Sequence, residues 1–226
     1  MSATTTIKIA YLYEDLMNTY GDSGDVKILR HLLNQQGFDV TVTNVSLGDD
    51  FDAFDYDFVF FGGGQDFEQT IVAQDLQRHR ATLAAYIEAS RPLLAICGGY
   101  QLLGAYYETS GGTTIKGLGI LPLHTVYKAD SRMIGDTTVQ TPWGQIHAFE
   151  NHSGRTYFDD KNMLKPLGQV EQGYGNNPDD HEEGLHYKNT IGSYSHGPLL
   201  RNLNVAQAVA ATIITAHEER LATTHA

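Results

Sequence analysis

Short apolar runs alternate with amphipathic segments through the first half of the chain. The strand-like runs are residues 7–13, 38–45, 58–61 and 93–96. Between them, residues 25–36 and 68–89 carry apolar side chains at the spacing of a helix with one buried face. The run 93–96, bounded by Pro92 and Gly98, is apolar throughout, as in strands buried on both faces of a sheet. This alternation predicts an α/β fold with a mostly parallel central sheet flanked by helices.

The second half of the chain is less regular and adds a few extra antiparallel strands to this prediction. The expected strands are residues 117–127, 137–141, 145–149 and 191–195, with a hairpin turn at Pro142-Trp143-Gly144. Residues 171–190 are polar and rich in glycine and asparagine, which predicts a long loop. A last helix is expected to begin at a cap on Asn204. No linker divides the chain, so we expect one domain over residues 1–226, with a frayed tail at 221–226.

The composition indicates which partners the chain can bind and in which cellular compartment it is expected. The 226 residues include 15 Lys and Arg against 27 Asp and Glu, a formal net charge of −12. Such an acidic chain is a poor candidate for nucleic-acid binding, which depends on neutralising phosphates. The single cysteine excludes an internal disulfide and suits a reducing compartment. No segment resembles a signal peptide or a membrane-spanning helix, so we expect a cytoplasmic protein without membrane insertion.

The single cysteine, Cys97, is the strongest candidate for chemistry. The apolar run 93–96 leads into it, and Gly98 and Gly99 follow it. This pattern is typical of a tight strand-to-helix turn that presents a nucleophile at the end of a strand. The N-terminus of the following helix would favour the thiolate, which is the reactive form. The alternative is that Cys97 is a small buried residue of the core.

His196 is the best placed of ten histidines to act as a base for this cysteine. It ends the strand-like run 191–195 and precedes Gly197-Pro198. In open α/β sheets, functional groups gather at the carboxyl ends of the strands, where the cysteine is also expected. His181 and His186 do not indicate a metal site, because they are five residues apart in a glycine-containing loop, whereas the zinc motif needs two histidines four apart on a helix. The sequence therefore predicts no metal.

Three glycines, Gly62-Gly63-Gly64, follow the apolar run 58–61. Their backbone N–H groups can converge on a ligand without interference from side chains. A phosphate is one candidate, but the segment lacks both the G-x-G-x-x-G spacing and the lysine of a phosphate-binding loop. A developing oxyanion fits better, with one donor from this loop and a second from Gly98.

These residues together resemble a known enzyme family. Cys97-Gly98-Gly99-Tyr100-Gln101 is similar to the nucleophile motif C-x-G-x-Q of the class I, triad-type glutamine amidotransferases, and Gly62-Gly63-Gly64 resembles their oxyanion loop. The similarity is tightest to the cobyric-acid-synthase-like branch, and within it to the glutaminase subunits of lipid II isoglutaminyl synthases. The other segments that carry it are residues 117–121, 149–157, 173–177, 183–189 and 194–198. The resemblance implies a flavodoxin-like sheet.

The resemblance also implies a mechanism. Cys97 would attack the carboxamide of L-glutamine while His196 moves protons, and the resulting thioester would be hydrolysed to glutamate. The backbone N–H groups of Gly64 and Gly98 would hold the oxyanion of the tetrahedral intermediate. The enzyme implied is a glutamine amidotransferase acting as a glutaminase.

Two further residues are expected to bind the substrate. Arg132 matches the position at which the family holds the carboxylate of glutamine, a task that suits the planar fork of an arginine. The alternative interpretation is that Arg132 is a solvated surface residue. Gln101, from the nucleophile motif, is expected in the same site. His152 and Arg155 lie in a segment too polar for a core, which suggests contact with substrate or a partner.

The resemblance implies a partner, because ammonia released into water would be protonated and diluted. This partner is a MurT-like homologue of the ATP-dependent Mur ligases, which would form a heterodimer with this chain. It would activate the D-glutamate carboxylate of the lipid II stem peptide for conversion to D-isoglutamine in peptidoglycan synthesis. No cofactor is expected in this chain, which has no phosphate-binding loop; ATP and Mg²⁺ are expected on the partner ligase.

One position departs from the wider class. Many triad amidotransferases have a glutamate two residues after the catalytic histidine, where it orients the imidazole, but this chain has Pro198 there. The orienting acid is then absent, supplied from elsewhere in the chain, with Glu150 and Asp66 as candidates, or donated by the partner. We predict that a partner contributes to the active site.

Three other functions stay open at this point. An amidotransferase serving another acceptor, such as a corrinoid, would share the same glutaminase chemistry. A hydrolase of the PfpI type also uses a cysteine at a strand-to-helix turn, but usually has histidine directly after it, where this chain has Gly98. A non-catalytic binding module on the same fold would tolerate the replacement of Cys97 with serine.

Overall fold

The structure, a computed structural model, describes residues 6–129 and 132–224, which form fourteen strands and five helices. In chain order these elements are β1 (Thr6–Leu12), α1 (Ser23–Gln35), β2 (Asp39–Val45), β3 (Phe58–Phe61), α2 (Asp66–Leu76), α3 (Arg80–Glu88), β4 (Leu93–Ile96), α4 (Gly98–Leu103), β5 (Tyr106–Glu108), β6 (Thr114–Lys116), β7 (Leu123–Tyr127), β8 (Met133–Thr141), β9 (Gly144–His152), β10 (Gly154–Phe158), β11 (Gly168–Gln172), β12 (Glu182–Glu183), β13 (Leu185–Tyr187), β14 (Thr190–Ser193) and α5 (Leu203–Thr224). None of the described helices is both long enough and apolar enough to cross a membrane.

A six-stranded sheet in the order β13-β14-β4-β3-β1-β2 lies at the centre of the fold. The neighbours from β14 to β2 pair in parallel, and only the edge strand β13 is antiparallel. The predicted mostly parallel sheet is therefore confirmed, and its strands follow the flavodoxin-like order. Because β3 and β4 are buried along their whole length, their sequences are continuous apolar runs. This order places the carboxyl ends of β3, β4 and β14 side by side.

Two four-stranded sheets, β10-β7-β5-β6 and β12-β11-β8-β9, account for most of the second half of the chain. The prediction of a long loop at 171–190 is wrong, because this region contains β12 and β13. These strands are only two and three residues long, and Gly184 at φ +62° separates them, so they show no hydrophobic alternation. The strand expected at 117–127 is also shorter and begins at Leu123.

The helix expected over residues 68–89 is divided into α2 and α3 by a short 3₁₀ turn at Gln77–His79. At this turn, Nε2 of Gln77 donates a hydrogen bond to the carbonyl of Gly117 at 3.1 Å. Nε of Arg80 donates to the carbonyl of Leu118 at 2.7 Å. These contacts with a neighbouring loop are tertiary, so the helical spacing of the sequence could not show them.

The last helix also begins differently from the prediction. Asn204 lies inside the first turn of α5, and its Nδ2 donates to the carbonyl of Trp143 rather than capping the helix. The segment predicted as a frayed tail is helical from residue 221 to 224, and residues 225 and 226 lie outside the described part of the chain. Helix α5 packs beside α1.

Candidate active site

Cys97 occupies the turn between β4 and α4, where the sequence predicts it. Its backbone has φ +48° and ψ −105°, a conformation that costs a non-glycine residue about 1–3 kcal/mol. The N–H of Cys97 donates to the carbonyl of Ser193 on β14 at 2.8 Å, and the N–H of Gly99 donates to the carbonyl of Gly62 at 3.1 Å. A Cβ on Gly99 would lie 2.7 Å from the carbonyl oxygen of Phe61, so only glycine fits there. The strained turn is therefore held from both neighbouring strands.

His196 follows β14 and is almost fully buried, with 4% of its surface exposed. Its Nδ1–H donates to Oδ1 of Asp22 at 2.9 Å, and its Nε2 has no hydrogen-bond partner among the described residues. Burial alone would lower the pKa of His196, but the hydrogen bond to Asp22 and the adjacent Cys97 sulfur outweigh burial and raise this pKa to about 10. The imidazole is thus held as an imidazolium whose Nε2 is available to Cys97.

Asp22 holds two parts of the site at once. It precedes α1 and is fully buried. Besides binding His196, it accepts a hydrogen bond at Oδ2 from the N–H of Gly63 at 2.9 Å. A Cβ on Gly63 would lie 2.9 Å from Cε1 of His196, 3.1 Å from Cβ of Cys97 and 3.3 Å from Oδ2 of Asp22. Three side chains therefore surround one backbone position and form a Cys–His–Asp triad.

The acid that orients the histidine is Asp22, and neither Glu150 nor Asp66 has this role. Glu150 instead accepts hydrogen bonds from the two backbone N–H groups of residues 174 and 175, at 2.6 and 3.0 Å. Asp66 accepts one from the hydroxyl of Tyr107 at 3.0 Å. Within the described chain, Asp22 therefore makes the contact with the imidazole that a glutamate makes in the wider class, and a contribution of the partner to the active site stays a prediction.

Asp22 cannot be recognised from the sequence pattern, because it lies 174 positions from His196, in a loop with no regular pattern. The signal that could have found it is topological. In the flavodoxin-like order, the loop after β1 opens at the same edge of the sheet as the ends of β3 and β4. Acidic residues in that loop are therefore candidates to meet a histidine that follows the last parallel strand.

Of the two residues predicted for the oxyanion hole, Gly64 lines the cavity beside Cys97, whereas Gly98 does not. The N–H of Gly63 is taken by Asp22, whereas no described residue accepts a hydrogen bond from the N–H of Gly64. Gly98 opens α4, and the first N–H groups of a helix have no intrahelical acceptor. Gln69 packs against both glycines: its Nε2 donates to the carbonyl of Gly64 at 3.0 Å and would lie 2.7 Å from a Cβ on Gly98.

A cavity of about 230 Å³ opens over Cys97 and His196, and its wall includes Gly64, Gln101 and Arg132. It is smaller than the ~300–1,000 Å³ pockets of drug-sized ligands and suits a ligand the size of one amino acid. Nε2 of Gln101 donates to the hydroxyl of Tyr194 at 3.1 Å. Oε1 of Gln101 is buried and, within the described chain, has no donor, so it can accept a hydrogen bond from a ligand.

Arg132 lies at the exposed mouth of this cavity. Its Nε donates to Oδ1 of Asn151, and Nδ2 of Asn151 donates to the hydroxyl of Tyr20 at 2.6 Å. The ring of Tyr20 in turn lies 4.5 Å from the ring of His196. Arg132 is therefore exposed but anchored, and the two terminal nitrogens of its guanidinium are not hydrogen-bonded to any described residue.

His152 and Arg155 are both buried, so the expectation that their segment is too polar for a core is wrong. His152 lines the cavity, and its ring stacks on that of Tyr194 with 3.6 Å between centroids. Its Nε2 lies 3.4 Å from Oε2 of Glu150. Nη1 of Arg155 donates to the carbonyl of Ser153 at 2.5 Å. Of the two, His152 is the residue that a bound ligand would meet.

Known proteins resemble this chain along most of its length. The family of CobB/CobQ-like glutamine amidotransferase domains matches residues 8–203. The lipid II isoglutaminyl synthase (glutamine-hydrolyzing) subunit GatD of Streptococcus pneumoniae is 47% identical over 92% of this chain and 80% of that protein. The subunit of the same name from Staphylococcus aureus is 40% identical over 86% and 78%. A solved glutamine amidotransferase shares the fold, with a TM-score of 0.59 at 12% identity over 91% of this chain and 98% of that one.

The family match covers the whole of the site, from Asp22 through the turn at Cys97 to His196. The resemblance inferred from the motifs around Cys97 is thereby confirmed, and so is the class of enzyme it implies. The chain belongs to the CobB/CobQ-like glutamine amidotransferase family.

Proposed function

We propose that this chain is the glutaminase subunit of a lipid II isoglutaminyl synthase. It hydrolyses L-glutamine to glutamate and delivers the ammonia for amidation of D-glutamate in the lipid II stem peptide to D-isoglutamine. Similarity to two GatD subunits over most of both chains, 47% identical in the first, is the observation that carries the proposal. The triad of Cys97, His196 and Asp22 and a cavity the size of one amino acid support the glutaminase step.

Acylation begins when the Cys97 thiolate attacks the side-chain carbonyl carbon of L-glutamine. The oxyanion of the tetrahedral intermediate accepts hydrogen bonds from the N–H groups of Gly64 and Gly98. His196, held as an imidazolium by Asp22, gives its Nε2 proton to the leaving nitrogen. Ammonia departs, and a glutamyl thioester on Cys97 remains.

Deacylation returns the site to its starting state. Neutral His196 accepts a proton from water through Nε2, and the resulting hydroxide attacks the thioester carbonyl. The same backbone donors stabilise the second oxyanion. Its collapse releases glutamate and restores the Cys97 thiolate beside the imidazolium, so no proton is gained or lost by the enzyme over the cycle.

Arg132 and Gln101 hold the substrate for this chemistry. The terminal nitrogens of the Arg132 guanidinium bind the α-carboxylate of L-glutamine, in the paired geometry that an arginine makes with a carboxylate. The free Oε1 of Gln101 accepts a hydrogen bond from an N–H group of the substrate. Asn151 keeps the arginine at the mouth of the cavity.

Replacing Arg132 with alanine is expected to raise the KM for L-glutamine about 30-fold and to leave kcat within about threefold, because the lost contact is to a carboxylate that does not react. Steady-state release of glutamate measures both constants. Arg78→Ala is the control, since Arg78 is an exposed arginine that pairs with Asp75 at 2.9 Å. A fall in kcat at unchanged KM would contradict the role given to Arg132.

The proposed partner binds this chain directly, because ammonia must reach its acceptor before water protonates and dilutes it. The partner is a MurT-like homologue of the Mur ligases that carries ATP and Mg²⁺, and the two chains form a cytoplasmic heterodimer. This chain supplies ammonia and uses no cofactor of its own. Within this chain Asp22 hydrogen-bonds to His196, and the partner is expected to contribute further groups to the active site.

The complex of this chain with its co-expressed partner tests the proposal. With lipid II, ATP, Mg²⁺ and L-glutamine, we expect D-isoglutamine in lipid II and an equal amount of free glutamate, both measured by mass spectrometry. Ammonium chloride should replace L-glutamine as the nitrogen source. Glutamate release without amidation of lipid II would favour another acceptor, such as a corrinoid, and no glutamate release under any condition would overturn the glutaminase assignment.

A further inference from the structure

Two buried carboxyl groups bind the backbone on either side of His196. Glu183 belongs to the short strand β12, and Asp25 belongs to the first turn of α1. Neither lines the cavity, and the proposed mechanism uses neither. Both contact the segment that carries the catalytic histidine, one before it and one after it.

Glu183 holds the segment before His196. It is 1% exposed, and its Oε1 accepts hydrogen bonds from Oγ of Ser193 at 2.9 Å and from the N–H groups of Tyr194 and Ser195 at 2.7 and 3.1 Å. Its Oε2 has no hydrogen-bond partner within the described chain. One oxygen therefore binds a donor from each of the three residues that precede His196.

Asp25 holds the segment after His196. It is fully buried, and its Oδ1 accepts hydrogen bonds from the N–H groups of Leu199 and Leu200 at 2.9 and 3.0 Å. Its Oδ2, like the second oxygen of Glu183, has no partner in the described part of the chain. Each acid thus binds the backbone with one oxygen and leaves the other unpaired.

Stability alone does not account for this arrangement. Burial raises the pKa of both Glu183 and Asp25 to about 7, because their charged forms lose hydration. A buried carboxyl oxygen without a partner is unfavourable whether the group is protonated or ionised. Because these two carboxyl groups bind the two ends of one segment, the oxygens that accept its hydrogen bonds have a role, which is to fix the backbone of residues 193–200.

We propose, on the basis of the function above, that Glu183 and Asp25 are positioning residues for glutamine hydrolysis. By fixing the backbone on both sides of His196, they place its imidazole so that Nδ1 meets Asp22 and Nε2 stays available to Cys97. A misplacement of about 1 Å in such a contact can slow an enzyme about 100-fold. The two acids therefore act through His196 and touch neither substrate nor thiol.

Amide and leucine replacements show whether the oxygen that accepts the hydrogen bonds or the charge of the carboxylate matters. Glu183→Gln and Asp25→Asn keep an oxygen that can accept the hydrogen bonds, and Glu183→Leu and Asp25→Leu remove it. In the complex with the partner, we expect kcat to fall about 10- to 100-fold in the leucine variants, with KM within about threefold. The amide variants should keep kcat within about threefold of the wild type.

Asp57→Asn is the matched control. Asp57 is also fully buried, and it accepts hydrogen bonds from the N–H of Lys8 at 2.8 Å and from Nε of Arg220 at 2.7 Å. It precedes β3 and so lies at the opposite end of the sheet from Cys97. This variant should lower the free energy of unfolding and leave kcat unchanged.

Alkylation of Cys97 with iodoacetamide gives a readout that does not depend on glutamine. Cys97 is the only cysteine in the chain, so alkylation reports on its sulfur alone, and a well-placed His196 promotes the attack of that sulfur on iodoacetamide. In the leucine variants, the alkylation rate at pH 7 should fall at least about 10-fold. In the amide variants and in Asp57→Asn, this rate should stay within about twofold of the wild-type rate.

These measurements distinguish the failure of each proposal. Folded leucine variants with wild-type kcat and wild-type alkylation would overturn the positioning role. Amide variants as impaired as the leucine variants would overturn it too, because the accepting oxygen would then not matter. A complex that shows the expected changes in alkylation rate but releases no glutamate would refute the proposed function, and the two acids would still be shown to position His196 beside Cys97.

If the leucine variants do not fold, hydrogen exchange of the wild type tests the positioning role of Glu183 and Asp25. The backbone amides of Tyr194, Ser195, Leu199 and Leu200 should exchange at least about 1,000-fold more slowly than in an unstructured peptide. Glu183→Gln should leave these rates within about threefold. Exchange within about tenfold of the unstructured rate would mean that the two acids do not hold this segment, which would overturn the proposal.

Discussion

Glutamate release from L-glutamine is expected to fall at least about 10⁵-fold when Cys97 is replaced with alanine. Alanine offers no nucleophile, so the thioester cannot form and only the backbone donors and the substrate contacts remain. Alanine also carries a Cβ, so the turn keeps its strain at φ +48° and the fold should be unaffected. Chromatographic measurement of glutamate, made on the complex with the partner, gives the rate.

Two further measurements show that the loss in Cys97→Ala is chemical. Ammonium chloride should still support the amidation of lipid II by the complex that carries this variant, because only the production of ammonia is lost. Rapid quenching of the wild type with L-glutamine should give a glutamyl group on Cys97, detected by mass spectrometry, and the variant should show none. Residual hydrolysis above about 1% of the wild-type rate would identify another group as the nucleophile.

The part of the site that the sequence predicts lies on the buried strands. Strands β3 and β4 match their predicted bounds, because a strand covered on both faces is an uninterrupted apolar run and the glycines after it mark its end. The turn at Cys97 follows from the same pattern. The place of His196 is predicted in a similar way, because it follows a strand that pairs in parallel with β4.

The rest of the site depends on contacts between distant loops. Asp22 and Glu183 are buried acids in segments that show neither helical nor alternating spacing, and each reaches the site through hydrogen bonds to backbone or imidazole. The local sequence does not show that such residues are buried, because burial of a polar group depends on partners that lie elsewhere in the chain. Only the order of the strands brings those partners together.

Replacing Asp22 with asparagine is expected to lower kcat about 10³- to 10⁴-fold. Asp22 accepts one hydrogen bond at each oxygen, from Nδ1–H of His196 and from the N–H of Gly63, both at 2.9 Å. An asparagine side chain has one oxygen, so its NH₂ group must face one of these donors. If the NH₂ group faces His196, it donates to Nδ1, and the imidazole then carries its proton on Nε2 and cannot accept a proton from water there. If the NH₂ group faces Gly63, the hydrogen bond that anchors the oxyanion loop is lost.

The same replacement changes the protonation of His196. Burial is the largest influence on the pKa of His196 and lowers it, whereas Asp22 and Cys97 together raise this pKa to about 10. Without the carboxylate, one of the two groups that raise this pKa is lost, so the pKa falls below about 10. The imidazolium that the wild type keeps up to about pH 10 then loses its proton at a lower pH. Titration of the imidazole by NMR measures this change, and an unchanged titration would contradict the role of Asp22.

Asp25→Asn is the most demanding control for Asp22→Asn, because both replacements neutralise a fully buried carboxyl group at the start of α1. Asp25 uses only one oxygen, so an amide can keep its two hydrogen bonds. We therefore expect kcat within about threefold of the wild type for Asp25→Asn, against the loss of about 10³- to 10⁴-fold for Asp22→Asn. Equal losses of kcat in the two variants would mean that neutralising any buried carboxyl group near His196 disables the site. The two hydrogen bonds of Asp22 would then not explain the loss of kcat in Asp22→Asn.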